Sequence, residues 1–283
     1  MLEQSGIRGP IPLMGTIFFS VRYIEKPLSL LPLVFNHPAR IHMKGDTDGG
    51  IVLQSKNDFW RLRDITHCGW KIVDVRKGRV YVKKEDIKIG AYPIQLSVLK
   101  ESLEEYYRVF DYSNKVILDV GGYIGYSSVL FSKWGARKVI IYEAQKENIP
   151  IIRENLRLNK VNGEVYNFAV ADKDGEIELK YENLGTTTVG LKGNNKYMIR
   201  GISVTRVISK EKIDIAKFDC EGCEYSLLSV PCKVLRKVPR YVIEYHRGFL
   251  SLKKKFEKCG YKVKLLWNLK DQEGIGGLMA EIN

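Results

Sequence analysis

The 283-residue sequence predicts an α/β chain, with a seven-stranded, mostly parallel sheet carrying one antiparallel strand and a small β-rich extension before it. Three observations carry that expectation. After Asn114, short apolar runs alternate with amphipathic stretches, the pattern of a sheet covered by helices on both faces. Before residue 90 the apolar runs are short, alternating and bounded by glycines. Between them in character, a strand at 116–120 ends in an acid and valine, then opens through three glycines into a helical stretch.

Taken in order, residues 11–35 are rich in apolar side chains, but Arg22, Glu25 and Lys26 interrupt them and Pro27 and Pro32 punctuate them. No uninterrupted run approaches the roughly 18 residues of a membrane span. The basic start, apolar middle and small-residue cleavage site of a signal peptide are not in evidence. The stretch reads as an irregular or partly helical arm, with peripheral membrane contact as a secondary option. From 39 to 89, the runs Ile51-Val-Leu, Lys71-Ile-Val-Asp-Val and Arg79-Val-Tyr-Val-Lys are separated by Gly49-Gly50, Cys68-Gly69 and Lys77-Gly78, which predicts strands and hairpins. Leu96, Leu99, Leu103, Tyr106 and Val109 recur at helical spacing and predict a helix over 93–110. The chain thus divides into an N-terminal part, 1–110, and a larger domain, 111–283.

In the larger domain the strands fall at 115–120, 138–143, 164–170, 213–219, 241–245, 261–267 and 277–282, with helices at 124–133, 146–159, 223–230 and 249–259. The last two strands are joined only by a loop at 268–276, so one of them runs antiparallel. The interval 172–207 breaks the alternation: Asp174-Gly175 is a tight turn leading into an alternating strand from Glu176. The run Gly185-Thr-Thr-Thr-Val-Gly190 has neither helical nor strand identity and is placed to cover a site.

Composition bounds the partners. The formal net charge is +13, from 46 Lys and Arg against 33 Asp and Glu, and such a field concentrates anions: nucleic acid, acidic lipid or phosphorylated sugars. A solvated basic surface, as at Lys253 to Lys255, explains the same excess. Five cysteines are too few and scattered for a disulfide framework, and their odd number leaves one unpaired, so a reducing cytoplasm is the simplest home. Cys220 and Cys223 have the spacing of half a zinc site, but no second pair completes it, and no zinc centre is expected; a divalent cation at the acidic cluster of Asp219, Glu221 and Glu224 stays an alternative.

The strongest local signal is Val116-Ile-Leu-Asp-Val-Gly-Gly-Tyr-Ile-Gly125. Gly121, Gly122 and Gly125 let the backbone turn tightly and approach a ligand at a helix start. Glu143 closes the next strand 22 positions after Gly121, where a carboxylate reaches the ribose hydroxyls of a bound nucleoside. Tyr123 stands where a glycine is usual, so the turn gains its force from Asp119 before it and Glu143 after it.

On these residues the sequence resembles the FkbM-type methyltransferase family. The resemblance is carried by Asp119 to Ser128, Gly135-Ala-Arg-Lys-Val139 followed by Glu143, Glu147-Asn148 leading to Glu154-Asn155-Leu-Arg-Leu-Asn159, Ala169 to Gly175, and above all Lys217-Phe-Asp-Cys-Glu-Gly-Cys-Glu-Tyr225. It implies a Rossmann-like class I methyltransferase fold, S-adenosylmethionine as cofactor, and methylation of hydroxyl oxygens on sugars, glycans or other small metabolites. The resemblance places the methionine end of the cofactor at Asp119, Gly121, Gly122, Tyr123 and Gly125, with Asp219 nearby, the ribose at Glu143, and the adenine near Ala169. Cys220 and Cys223 fall on positions where the family has Val and Ala, which reads them as small packing residues. Ala144 replaces the family's usual Pro, and Glu244-Tyr-His246 stands where many members have Glu-x-His.

Methyl transfer to a neutral hydroxyl needs collinear reactants and a base. His246, at a strand end, and the carboxylates Asp219, Glu221 and Glu224 are the candidates. Glu221 and Glu224 also suit the first turn of a helix with no chemistry at all. An RNA methyltransferase is the alternative, motivated by the basic charge; the Asn-Pro-Pro-Tyr tetrad of base-amine methylation is missing. A scaffold with a retained cofactor fold is a third class.

Overall fold

The computed structural model describes residues 13–44, 49–183, 186–188, 195–268 and 274–282. The chain divides into two compact units, Met1–Lys100 and Glu101–Asn283.

The first unit runs through α1 (Leu13–Tyr23), a 3-10 turn (Pro27–Leu30), α2 (Leu31–Val34), β1 (Ala39–Ile41), β2 (Ile51–Leu53), α3 (Lys56–His67), β3 (Lys71–Arg76), β4 (Arg79–Lys84), β5 (Ile87–Ala91) and a 3-10 stretch (Pro93–Lys100). Strands β1 and β2 pair antiparallel, and β3, β4 and β5 form a meander. Lys77 and Gly78, both at positive φ (50° and 72°), make the tight β3–β4 turn. Helix α3 lies where the sequence reading has only strands and turns. Its Phe59, Leu62 and Ile65 are buried at three-residue spacing between charged residues, and the Asp58 carboxylate accepts the Gln54 N–H at 2.9 Å at the helix start. The single helix expected over 93–110 is broken into the 3-10 stretch and α4 (Leu103–Tyr107), because Ser102 leaves helical geometry (φ −79°, ψ 54°).

The second unit continues with β6 (Val116–Val120), α5 (Tyr126–Lys133), β7 (Lys138–Glu143), α6 (Asn148–Leu158), β8 (Gly163–Asn167), β9 (Ala169–Ala171), β10 (Gly175–Asn183), β11 (Thr186–Thr188), β12 (Asn195–Ser203), α7 (Val204–Ser209), β13 (Ile215–Phe218), a 3-10 helix (Cys223–Ser229), α8 (Cys232–Leu235), β14 (Arg240–Tyr245), α9 (Leu250–Lys258), β15 (Lys262–Asn268) and β16 (Gly276–Glu281). The seven-stranded sheet has the order β15-β16-β14-β13-β6-β7-β8. All its pairings are parallel except those of β16, which is antiparallel to both neighbours. All five residues of β6 are buried, as in a strand covered on both faces. The carboxyl ends of β6, β7, β13 and β14 therefore converge on one edge, where an open α/β sheet holds its ligands.

Two strand expectations are corrected. The run 164–170 is not one strand: β8 stays in the main sheet, and after Phe168 β9 leaves it to pair in parallel with β12, in a second sheet ordered β11-β10-β12-β9. Thr186–Thr188 form strand β11, supported by antiparallel pairing with β10 that the sequence alone does not supply. The rest of the 185–190 run and the middle of the 268–276 loop lie outside the described residues.

The reading of Cys220 and Cys223 as small packing residues, with no disulfide in the chain, is also overturned, while the one unpaired cysteine that the odd number requires is found. Cys220 is bridged to Cys223 and Cys232 to Cys259, leaving Cys68 free. Glu221 and Gly222, at positive φ (56° and 117°), curl the chain so that the Cα atoms of Cys220 and Cys223 lie 5.4 Å apart. Cys232 on α8 and Cys259 just past α9 lie 5.0 Å apart. Both separations suit a disulfide, and neither is written in residue spacing. Among the described residues no helix is long and apolar enough to cross a membrane.

Candidate functional site

The glycine turn is shaped by what surrounds it. A Cβ on Gly121 would stand 1.8 Å from the carbonyl oxygen of Asp219, so β6 and the chain beyond β13 approach as closely as only glycine permits. A Cβ on Gly122 would meet Ile141 at 2.4 Å. Tyr123 is held at φ 48° while its N–H donates to Glu143 Oε2 at 2.8 Å, and Gly125 (φ 81°) caps α5. Glu143 is itself buried, with Oε1 accepting from the Gln145 N–H (2.9 Å) and Asn148 Nδ2 (3.2 Å). Burial pushes its carboxyl up, and those hydrogen bonds oppose the rise. The pair therefore links the acid at the end of β7 to the turn after β6. Ala169 packs with Ala144, Ile177 and Ile199 in a small apolar cluster near the same edge.

Asp119 is wholly buried behind the turn. Its Oδ2 accepts from the hydroxyls of Ser127 (2.7 Å) and Ser128 (2.6 Å), tying β6 to the first turn of α5. Its Oδ1 lies 3.1 Å from Lys217 Nζ. Parallel register pairs Lys217 directly with Asp119, so both point to the same face. Lys217 also donates to the Gly121 carbonyl (2.8 Å) and lies 3.5 Å from Asp219. Burial pulls the lysine down, but the charges of Asp119 and Asp219 outweigh it and hold the ammonium above its ordinary range. A buried cation thus joins the glycine turn to the acid after β13. Sequence reasoning quoted it at the head of the Lys217–Tyr225 segment but gave it no role; its signal was a lone lysine inside the otherwise apolar Ile215–Phe218.

The acids cluster beside it. Tyr107 of α4 donates its hydroxyl to Asp219 Oδ2 at 2.8 Å and lies 3.3 Å from Glu244 Oε2. The Tyr112 hydroxyl in turn donates to the Tyr107 carbonyl. Glu224 is wholly buried; it accepts the Gly222 N–H (2.8 Å) and the His246 N–H (3.1 Å), and its Oε1 lies 3.1 Å from His246 Nδ1. The other ring nitrogen, Nε2, faces Glu221 (3.6 Å) and Glu244 (3.7 Å). Burial pulls the imidazole down, but the Glu224 hydrogen bond and the charges of Glu224, Glu221 and Asp219 outweigh it and raise His246 to about 9. Burial and the Asp219 charge push the Glu244 carboxyl up, against the pull of His246, and burial also raises Glu221. Arg247 donates to the Gly222 carbonyl (2.9 Å), and Tyr225 donates to that of Gly248 (2.7 Å), so the chain after β14 is fastened to the Glu221 turn.

The structure thus brings Asp219, Glu221, Glu224 and His246 together at the ends of β13 and β14. It adds Glu244, Tyr107 and Lys217. Glu244 was legible in the Glu244-Tyr-His246 run at the end of β14; Tyr107 carried no signal. Asp219, Glu244 and His246 offer ligand atoms within 4.8 Å of one another, a donor set that a divalent cation accepts. Next to Glu244 in register is Gly277, and next to that Trp267. A Cβ on Gly277 would meet the Trp267 ring at 2.3 Å, so glycine lets the indole lie across β16, where it stacks on Tyr106 at 4.8 Å.

No curated protein matches the chain. Among solved structures, WbdD shares 13% identity at a TM-score of 0.37, covering 59% of this chain and 35% of WbdD, so this chain spans about a third of that protein. The ribosomal protein L11 methylase of Lactobacillus delbrueckii subsp. bulgaricus shares 12% at 0.38, covering 66% and 80%. The precorrin-6y C5,15-methyltransferase of Geobacter metallireducens GS-15 shares 12% at 0.38, covering 64% and 85%. Likenesses this distant say nothing of substrate. The family model described as the methyltransferase FkbM domain matches residues 119–263, more than half of the chain and the whole span from the glycine turn through the acid cluster. With Asp119, Glu143 and the Asp219–Glu224 turn all inside that span, the chain belongs to the FkbM methyltransferase domain family.

Proposed function

We propose that the protein transfers a methyl group from S-adenosylmethionine to a hydroxyl oxygen of a sugar, glycan or similar small metabolite. The observation that carries the reading is the Glu224–His246 pair: a buried carboxylate fixes one ring nitrogen and leaves the other among Glu221 and Glu244.

The residues fit the cofactor. The turn at Gly121, Gly122, Tyr123 and Gly125 has no room for a Cβ at its first two positions, Glu143 is fixed at its rim, and Ala169 sits in an apolar cluster suited to a flat base. Asp119, being buried, acts by bracing the turn and Lys217, which in turn holds Asp219. The bound cofactor supplies an electrophilic methyl group. The chain supplies position, which is worth roughly 7–11 kcal/mol of barrier, and a base, worth roughly 10²–10⁴ in rate.

His246 Nε2 takes the acceptor's hydroxyl proton. In its neutral form, the minority species below about pH 9, the ring is a stronger base than an ordinary imidazole, as a poorly acidic hydroxyl needs, and Glu224, Glu221 and Asp219 stabilise the imidazolium that results. The acceptor ring lies on the Trp267–Tyr106 stack with its hydroxyls toward the carboxylates. This acid-lined mouth supports an uncharged acceptor over the phosphates of RNA.

Calorimetric titration with S-adenosylmethionine and S-adenosylhomocysteine, on the native protein and on Glu143→Ala, tests the cofactor. Saturable binding weakened about tenfold or more in the variant is expected, equivalent to about 1.4 kcal/mol. Labelled-methyl transfer to sugars and to RNA then tests the acceptor. No binding by folded protein removes the enzyme reading; transfer to RNA alone removes the hydroxyl-metabolite reading.

A further inference from the structure

Thirteen large apolar side chains stand exposed among the described residues, and six of them fall between Ile17 and Phe35. Leu28 is 78% exposed and Phe35 71%; Ile17, Val21, Leu31 and Val34 are each more than half exposed. Leu28, Leu31, Val34 and Phe35 recur at the spacing of one helical face across the 3-10 turn and α2, opposite the buried Leu33. Single exposed apolar residues are ordinary, but such a concentration marks an interaction surface.

Two further features decide what it meets. The first is charge. Residues 17–44 hold four basic side chains, Arg22, Lys26, Arg40 and Lys44, against one acid, Glu25. The Ile24–Met43 bridge, with Lys44 N–H donating to the Tyr23 carbonyl at 2.8 Å, draws the Lys26 and Lys44 stretches together. β1, which carries the exposed Arg40, packs on the 3-10 turn. The second is the backbone. Pro27 and Pro32 have no N–H to satisfy. Ser29, Phe35, Asn36 and His37 donate theirs within the segment at 2.9–3.1 Å, and Leu31 donates to the Leu28 carbonyl. A peptide segment enters an apolar phase readily only when its polar groups are already paired.

We infer that the 3-10 turn and α2, with Leu28, Leu31, Val34 and Phe35 inserted and Lys26, Arg40 and Lys44 beside the headgroups, dock the protein on an anionic lipid surface. The apolar face is too short to span a bilayer and has the form of an interfacial anchor, in which shallow burial and charge attraction act together. The inference stands on the first unit alone and is independent of the reaction proposed above.

The test is co-sedimentation of the full chain with phosphatidylcholine vesicles and with vesicles that also contain phosphatidylglycerol. The expected result is binding to the anionic vesicles that weakens with added salt and is much weaker on the neutral ones. Leu28→Asp/Phe35→Asp changes only exposed side chains; it is expected to weaken partition by about tenfold or more with an unchanged thermal melt, and Lys26→Glu/Lys44→Glu to weaken it on anionic vesicles alone. Absence of binding to either vesicle, or binding unaltered by the aspartate pair, overturns the proposal. So does sedimentation-velocity evidence that the face joins two copies of the chain, with a dimer dispersed by the same pair and no lipid binding.

Discussion

Glu224→Gln removes one charge from a wholly buried site while keeping its volume. The carboxylate accepts two backbone N–H groups and pairs with His246 Nδ1 at 3.1 Å. The rise of His246 from 6.5 to about 9 corresponds to about 3 kcal/mol of preference for the imidazolium, at 1.36 kcal/mol per tenfold in proton affinity. Glu224 is the foremost of the groups that raise it, so the amide is expected to lower the titration by about 1–3 pH units. Only four histidines exist, so the ring proton of His246 is assignable by NMR, and the ascending limb of kcat/KM against pH is expected to move down with it. The variant should also lose about 2–4 kcal/mol of stability at neutral pH, because an amide cannot accept every hydrogen bond that the carboxylate accepts. The folded protein keeps a proton on His246 that the unfolded chain releases near 6.5, so this contribution is full below pH 6.5 and is lost as pH rises through about 9. The raised carboxyls of Glu221 and Glu244 act in the same direction. Native stability should therefore fall across that window, less steeply in the variant. A His246 titration that stays near 6.5 in the native protein, or does not respond to Glu224→Gln, would refute the reading that Glu224 raises the imidazole.

Lys217→Met leaves Asp119 charged and buried without its partner, so a loss of about 3–5 kcal/mol is expected in urea unfolding; a change under 1 kcal/mol would show that the ion pair is dispensable. Gly121→Ala places a methyl 1.8 Å from the Asp219 carbonyl, which forces β6 and β13 apart; cofactor binding should be lost, and calorimetry showing unchanged affinity would contradict the close approach. Thiol titration of unfolded, unreduced protein should find one reactive cysteine, Cys68, and five after reduction. Three or more before reduction would remove a bridge.

The main sheet was legible because its signals are local. Buried strands must be apolar along their length, the glycines of the turn are required by backbone geometry, and an acid at each of two strand ends is visible as residues and spacing. The candidate site was half legible for the same reason: Asp219, Glu221, Glu224 and His246 sit at strand ends that any parallel sheet brings to one edge. Helix α3 was missed because its buried residues are diluted by charges, and the split at Phe168 because β9 finds its partner 32 residues away in β12. Tyr107 reaches Asp219 across 112 positions, and Cys232 reaches Cys259 through the meeting of two helices. The sequence by itself determined which segments bury and what chemistry they carry. Only the tertiary structure decided which distant groups touch, and hence that His246 is held by Glu224 and Asp119 by Lys217, because proton affinity and pairing depend on separations of a few ångströms that residue order does not encode.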